Sequence, residues 1–308
     1  MIAKNTKAGI KTPMKKRHKD MIFVACLVTL PLIHYLIFYV YVNFNSILLA
    51  FQRYENGVYE WNGLENFERL INEFIREGYM VTAVKNSLIY YLVNTLVGTT
   101  ATLFFSYYIF KKRFASKLFK VILFLPSIIA SISITLMFKY IANFAIPQIV
   151  GEWFGERIAG LTSSTKTLFP TVVFYGIWVG FGSGLLLYSG AMSNINDSVL
   201  EASVIDGAGE LRQFFNIIIP LIYPTLSIFI VNGIAHLFSS DMHLYAFFGG
   251  AADRSAWTFG YYLLKMTRDA NMSEYPYPAT VGIFLTLFSV PLTFLIRGAL
   301  QKFGPKTE

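Results

Sequence analysis

The sequence predicts an all-α membrane protein with six transmembrane helices, and three observations carry that reading. Hydrophobic residues make up 55% of the 308 and charged residues 14%, where an ordinary soluble domain carries about 25% charged. Six apolar runs, residues 21–42, 87–110, 118–138, 168–192, 217–238 and 279–296, each fit the roughly 17–25 helical residues that cross a hydrocarbon core of about 30 Å. Lys and Arg gather beside these runs, as they do in the cytoplasmic links of polytopic proteins. The 29 Phe and 19 Tyr suit membrane–water interfaces, where amphipathic rings collect.

The first run follows a basic tail holding Lys4, Lys7, Lys11, Lys15, Lys16, Arg17 and Lys19. It resembles a signal peptide, but it is longer than an h-region and no small-residue cleavage site follows, so it reads as a retained span. Its Cys26, the single cysteine, is a small apolar filler that leaves no disulfide framework and no cysteine metal site. The next segment is rich in glutamate: Glu55, Glu60, Glu65, Glu68, Glu73 and Glu77. The link after the second run holds Lys111, Lys112, Arg113 and Lys117 without an acid, so this link and the N-terminal tail belong in the cytoplasm. Lys120, near the start of the third run, is the only charge within any run and can snorkel to the headgroups.

Six crossings return the C-terminal tail, with Lys302 and Lys306, to the cytoplasm, and leave 43–86, 139–167 and 239–278 outside. The chain then divides into a basic tail (1–20), a first span with its external segment (21–80), a core (81–300) containing a cytoplasmic loop at 193–220, and a short tail (301–308). The net charge of +8 lies beside membrane runs and forms no basic groove, which argues against a nucleic-acid partner.

One cytoplasmic link breaks the charge rule. Residues 193–216 hold Asp197, Glu201, Asp206 and Glu210 against a single Arg212. Ser198 to Glu201 fits a capping box, and Ile195, Val199 and Ala202 recur at helical spacing. Gly207 and Gly209 offer a stop, and a second helical stretch, 210–219, leads into Pro220 and the fifth run. An amphipathic linker lying on a bilayer would favour Lys and Arg on its polar face, whereas this one is acidic. Small residues such as Ala202 and Ser203 permit close approach to a partner groove, and acids at a helix start suit a basic partner surface.

The stretch Glu201-Ala202-Ser203-Val204-Ile205-Asp206-Gly207-Ala208-Gly209, followed by Ile217, Ile219 and Pro220, resembles the EAA loop of binding-protein-dependent ABC importer permeases. The pattern is Glu-Ala-Ala, three residues, Gly, nine residues, then Ile-x-Leu-Pro. Ser203 stands for the second Ala and Ile219 for Leu. The resemblance covers about residues 80–300 and implies a type I ABC importer permease fold in a bacterial cell membrane. It makes the loop a coupling helix that docks in a cleft of an ATP-binding subunit. Glu201, Ala202, Ser203, Asp206, Gly207, Ala208, Arg212, Ile217 and Pro220 are the expected coupling residues.

The fourth run carries Trp178-Val179-Gly180 and Ser183. Its glycines either allow close helix packing or expose backbone toward a cavity. The stretch resembles the Trp-Leu-Gly segment before the EAA loop of maltose-type permeases, where a sugar contacts the membrane cavity, although Val179 replaces Leu and Ser183 an aromatic. The fifth run carries Asn232 and His236, then Ser239, Ser240 and Asp241 near its outer end, and Asn232, His236 and Ser239 share a face at i, i+4 and i+7 of a continued helix. These groups either bond between helices or meet sugar hydroxyls in an aqueous cavity. His34 and Asn94 read as packing partners. Tyr261-Tyr262-Leu263 and the segment Tyr275 to Gly282 resemble the oligosaccharide branch of the family, which leaves amino-acid, peptide or glycerol-phosphate permeases as the alternative.

The sequence holds no Gly-x-x-x-x-Gly-Lys-Ser/Thr loop, no His-Glu-x-x-His and no Gly-x-Ser-x-Gly, so no phosphate cradle, zinc site or nucleophile elbow is expected. Mid-membrane acids and an internal repeat, which a secondary transporter would use, are likewise missing from the sequence. The expectation is a non-catalytic subunit without cofactors of its own, contacting membrane lipid. It would act with a second, different permease chain, two subunits that bind ATP and Mg, and an extracytoplasmic solute-binding protein.

Overall fold

The computed structural model describes residues 14–305, with side chains from residue 20 onward. Lys4, Lys7 and Lys11 of the basic tail, and Lys306, lie outside the described residues. In chain order the elements are α1 (Asp20–Leu49, a helix begun at Met14), a hairpin of β1 (Gln52–Glu55) and β2 (Val58–Trp61), α2 (Glu65–Arg76), α3 (Gly78–Phe110) and α4 (Ser116–Ile128). Next come α5 (Ser131–Phe154), α6 (Thr165–Ser193), α7 (Asp197–Ile205), α8 (Glu210–Ala235), α9 (Leu244–Phe248), α10 (Phe259–Asp269) and α11 (Pro276–Phe303). Six of them, α1, α3, α5, α6, α8 and α11, are long and apolar enough to cross a membrane. No residue in the most apolar window of α1 is buried within the chain. A helix apolar all round and uncovered by its own chain belongs in lipid or against another subunit.

The third apolar run is not one helix. Extended residues Ile129 (ψ 141°) and Ala130 (ψ 128°) divide 118–138 into α4 and α5, and α5 continues to Phe154, well into the segment predicted to lie outside. The backbone of α4 is pinned on α6, because a Cβ at Gly182 would stand 2.9 Å from the Phe124 Cα. The break lets α5 leave on its own course. Hydropathy counts apolar atoms and is blind to two extended residues inside an apolar run.

The fifth run also shifts. Its helix α8 begins at Glu210 and ends at Ala235, with a π turn at Phe214–Ile218 immediately before Pro220. A proline cannot donate to the carbonyl four residues back and its ring crowds that carbonyl; the wider π turn removes the conflict. No break occurs at Pro220. His236 and Ser239 therefore lie past the helix end, and the predicted shared helical face of Asn232, His236 and Ser239 does not exist.

The hairpin is an element the sequence reading missed, although Asn56-Gly57 stands between Tyr-rich flanks. Both residues have positive φ (50° and 86°), the condition for a two-residue type I′ turn, and Tyr54 faces Tyr59 across it. At this end the polar side chains tie separate segments together. Asn86 donates to the carbonyls of Ser255 (2.8 Å) and Trp257 (3.0 Å), and the Phe259 amide donates to the Ser87 hydroxyl at 3.0 Å. The Glu73 carboxylate accepts from Tyr277 (2.6 Å), Tyr262 (3.4 Å) and Arg69 (2.9 Å). Burial, reinforced by the neighbouring Tyr277, Tyr79 and Glu73, pushes the Tyr262 hydroxyl far above its ordinary pKa, so it serves as a lasting donor. One apolar cluster gathers here around Tyr175, Phe247, Phe259 and Tyr261. A second lies at the opposite end around Tyr107, Tyr188, Phe214 and Ile218.

Candidate coupling segment and translocation path

The acidic segment folds as predicted in outline. Helix α7 is capped by Asn196, whose side chain accepts from the Ser198 amide at 3.1 Å, so the start lies before the expected capping box at Ser198. It stops at Gly207, whose φ of 75° suits a residue without Cβ. Gly209 shares no such need, with φ −65°. The side chains of Glu201, Ala202, Asp206 and Arg212 are exposed, Ala208, Ile217 and Pro220 half-buried. Ser203 differs from the expectation of an approachable surface residue: it is 5% exposed, with its hydroxyl donating to the Leu200 carbonyl at 2.6 Å. The exposed face instead presents Val204 and Ile205, the latter 86% exposed, with Leu211 beyond the turn. Their signal was available, since several exposed apolar residues close together on a short link mark a surface that a partner covers.

The segment is held from a distant part of the chain. Arg113 pairs with Glu210, Tyr107 donates to the Glu210 carbonyl at 3.2 Å, and the Lys111 ammonium donates to the Gln213 side chain at 2.7 Å. Gln213, 3% exposed, passes the connection on by donating to the Ala208 carbonyl at 3.0 Å. Burial, then the neighbouring Arg113, lowers the Lys111 pKa. The basic link after α3 is thus bolted to the start of α8, and sequence reasoning assigned it only an orientation signal.

Between α3, α6 and α8 lies a cavity of about 310 Å³. Gly180, Ser183 and Asn232 line it together with Asn94, Thr95 and Thr99 of α3. A Cβ at Gly180 would meet nothing within 4 Å. Trp178 and Val179 are elsewhere: both pack on the larger apolar cluster, Trp178 with its ring 5.8 Å from Phe138 and 6.2 Å from Tyr175. His236 and Ser239 sit in the turn after α8, Nδ1 and Oγ 3.3 Å apart. The Asp241 carboxylate accepts from the amides of His243 and Tyr245 at the start of α9, both at 3.3 Å. The Ser240 carbonyl accepts from Thr258 at 2.9 Å. The expected path residues therefore fall into three places, and neither Trp178 nor His236 lines this cavity.

A bundle of membrane-length helices with an exposed acidic helix on one link and a polar cavity between spans defines a multi-pass transport protein. The chain belongs to the binding-protein-dependent transport system inner membrane component family, whose sequence profile matches residues 95–308. Among similar proteins is the polygalacturonan/rhamnogalacturonan transport system permease protein YteP of Bacillus subtilis (strain 168), 24% identical over 90% of this chain and 88% of that one. Another is the lactose transport system permease protein LacF of Rhizobium radiobacter, 25% identical over 84% of this chain and 87% of that one. A chain from the crystal structure of a bacterial ABC transporter involved in the import of the acidic polysaccharide alginate shares the fold, with TM-score 0.79 at 18% identity, covering 94% of this chain and 98% of that one.

Proposed function

We propose that this chain is the permease subunit of an ATP-driven importer and forms half of the translocation path for a sugar or oligosaccharide. The observation that carries the reading is α7, an exposed helix with an uncovered apolar and acidic face, whose following turn at Ala208 is tied through Gln213 and Lys111 to the start of α8 and the link after α3, where Arg113 also pairs with Glu210. Such a helix converts a partner's movement into movement of α3 and α8, because its brace reaches both. In this reading the exposed Glu201, Ala202, Asp206 and Arg212 meet an ATP-binding subunit, while Ser203, Gly207, Ala208, Ile217 and Pro220 shape the segment that presents them.

Two ATP-binding subunits hold ATP and Mg, a second and different permease chain completes the path, and an extracytoplasmic solute-binding protein delivers the solute. The subunit itself is non-catalytic and sits in a bacterial cell membrane with both termini in the cytoplasm, the core 81–300 carrying the loop 193–220. The named functions of YteP and LacF support a carbohydrate over an amino acid or peptide. The test is purification from native membranes. An ATPase that co-purifies with the chain and is lost with Glu201→Lys, while the chain remains in the membrane, supports the proposal; solute exchange by the isolated chain without an ATPase would overturn it.

A further inference from the structure

Asn94, Thr95 and Thr99 have no role in the coupling segment, and they stand on a specialised piece of backbone. A π turn of α3 covers Asn94–Thr99. Its five-residue repeat sets Thr99 over Asn94, and the Thr99 hydroxyl donates to the Asn94 carbonyl at 3.5 Å. The side chains of Asn94, Thr95 and Thr99 line the cavity from one side, with Ser183 of α6 and Asn232 of α8 on the others. Among the described residues, no Asp, Glu, Lys, Arg or His lines it. Tyr90, Tyr188 and Phe229 add aromatic surface.

This is a chemistry of selection. Carboxamides and hydroxyls both donate and accept, as sugar hydroxyls do, and aromatic rings cover the apolar faces of a pyranose. A carboxylate or phosphate entering the same space would lose water and gain no cation from this chain's lining, and an unpaired charge away from water is strongly disfavoured. We propose that Asn94, Thr95 and Thr99 form a third wall of the solute path, and that this wall selects a neutral oligosaccharide over a uronate chain or a sugar phosphate. The inference rests on the reading of the cavity as part of the path, and it parts this chain from those relatives whose named cargo is acidic.

The test uses the assembled transporter in leaky membranes of its own host. With Cys26→Ala as background, single cysteines are placed at Asn94, Thr99 and, as a control, Leu96, which is 68% exposed on the outer side of α3. A charged, water-soluble methanethiosulfonate should modify N94C and T99C at least tenfold faster than L96C. One or more of a panel of neutral tetrasaccharides of glucose, xylose, mannose or arabinose should slow that reaction, and tetragalacturonate at the same concentration should not. Equal, slow reaction at all three positions would overturn the wall. Protection by tetragalacturonate, or by nothing in the panel, would overturn the selection for neutral cargo. Co-purification of the ATP-binding subunit with each variant is read separately, so failure of the importer reading shows there and failure of the wall shows in the labelling.

Discussion

At the scale of single residues, two glycines two positions apart separate packing from passage. Gly182 takes the α4 backbone against it, whereas Gly180 faces open space. Gly182→Ala forces an added methyl into the Phe124 backbone and should lower stability by about 1–3 kcal/mol, read as a lower midpoint of thermal unfolding in detergent. Gly180→Leu should leave that midpoint unchanged and reduce solute uptake by filling the cavity; the two measurements together assign each glycine. Trp178 takes the packing alternative and not the cavity contact that the maltose-type resemblance implied. Packed on Phe138 and Tyr175, its truncation to Ala should cost less than the about 3–5 kcal/mol of a fully buried ring. The expected outcome is lower yield and a lower unfolding midpoint, with uptake per surviving molecule retained. The Trp-Val-Gly pattern was legible in the sequence, but the direction each side chain takes from α6 was not, since it depends on where α5 and α9 pack.

Among elements, the acidic segment was the most legible and its brace the least. The spacing from Glu201 to Pro220 lies within one local stretch, so sequence alone locates α7 and its stop at Gly207. The brace joins Lys111 to Gln213, residues 102 apart in the chain, and no local pattern announces it. Gln213→Leu leaves the Lys111 ammonium and the Ala208 carbonyl without their partner, a cost of about 1–3 kcal/mol. Within the proposed importer the expected phenotype is specific: the chain still inserts and still co-purifies with an ATPase, while transport per ATP hydrolysed falls. Wild-type transport per ATP in a stable Gln213→Leu transporter would show the brace to be structural only. The break at Ile129–Ala130 stayed hidden because Ile128, Ile129 and Ile132 keep the run apolar across it. The hairpin was readable from Asn56-Gly57.

For the whole molecule, the six spans follow from composition because lipid rewards apolar length, and each predicted run overlaps an observed membrane helix. The two ends are chemically distinct. One carries the hairpin, α2 and α10 around Glu73; the other carries the basic link and the acidic segment locked together. Apolar residues exposed along α1 and on α7 show that the isolated chain leaves surfaces for lipid and partners to cover. The central claim is that α7 presents its face to an ATP-binding subunit. It is tested most directly by a short cysteine-reactive photocrosslinker at Ile205→Cys, in the Cys26→Ala background, irradiated in native membranes. The expected product is one dominant adduct containing an ATP-binding protein, diminished by Glu201→Lys; adducts with lipid alone, or with no ATP-binding protein, would show that α7 meets no such subunit.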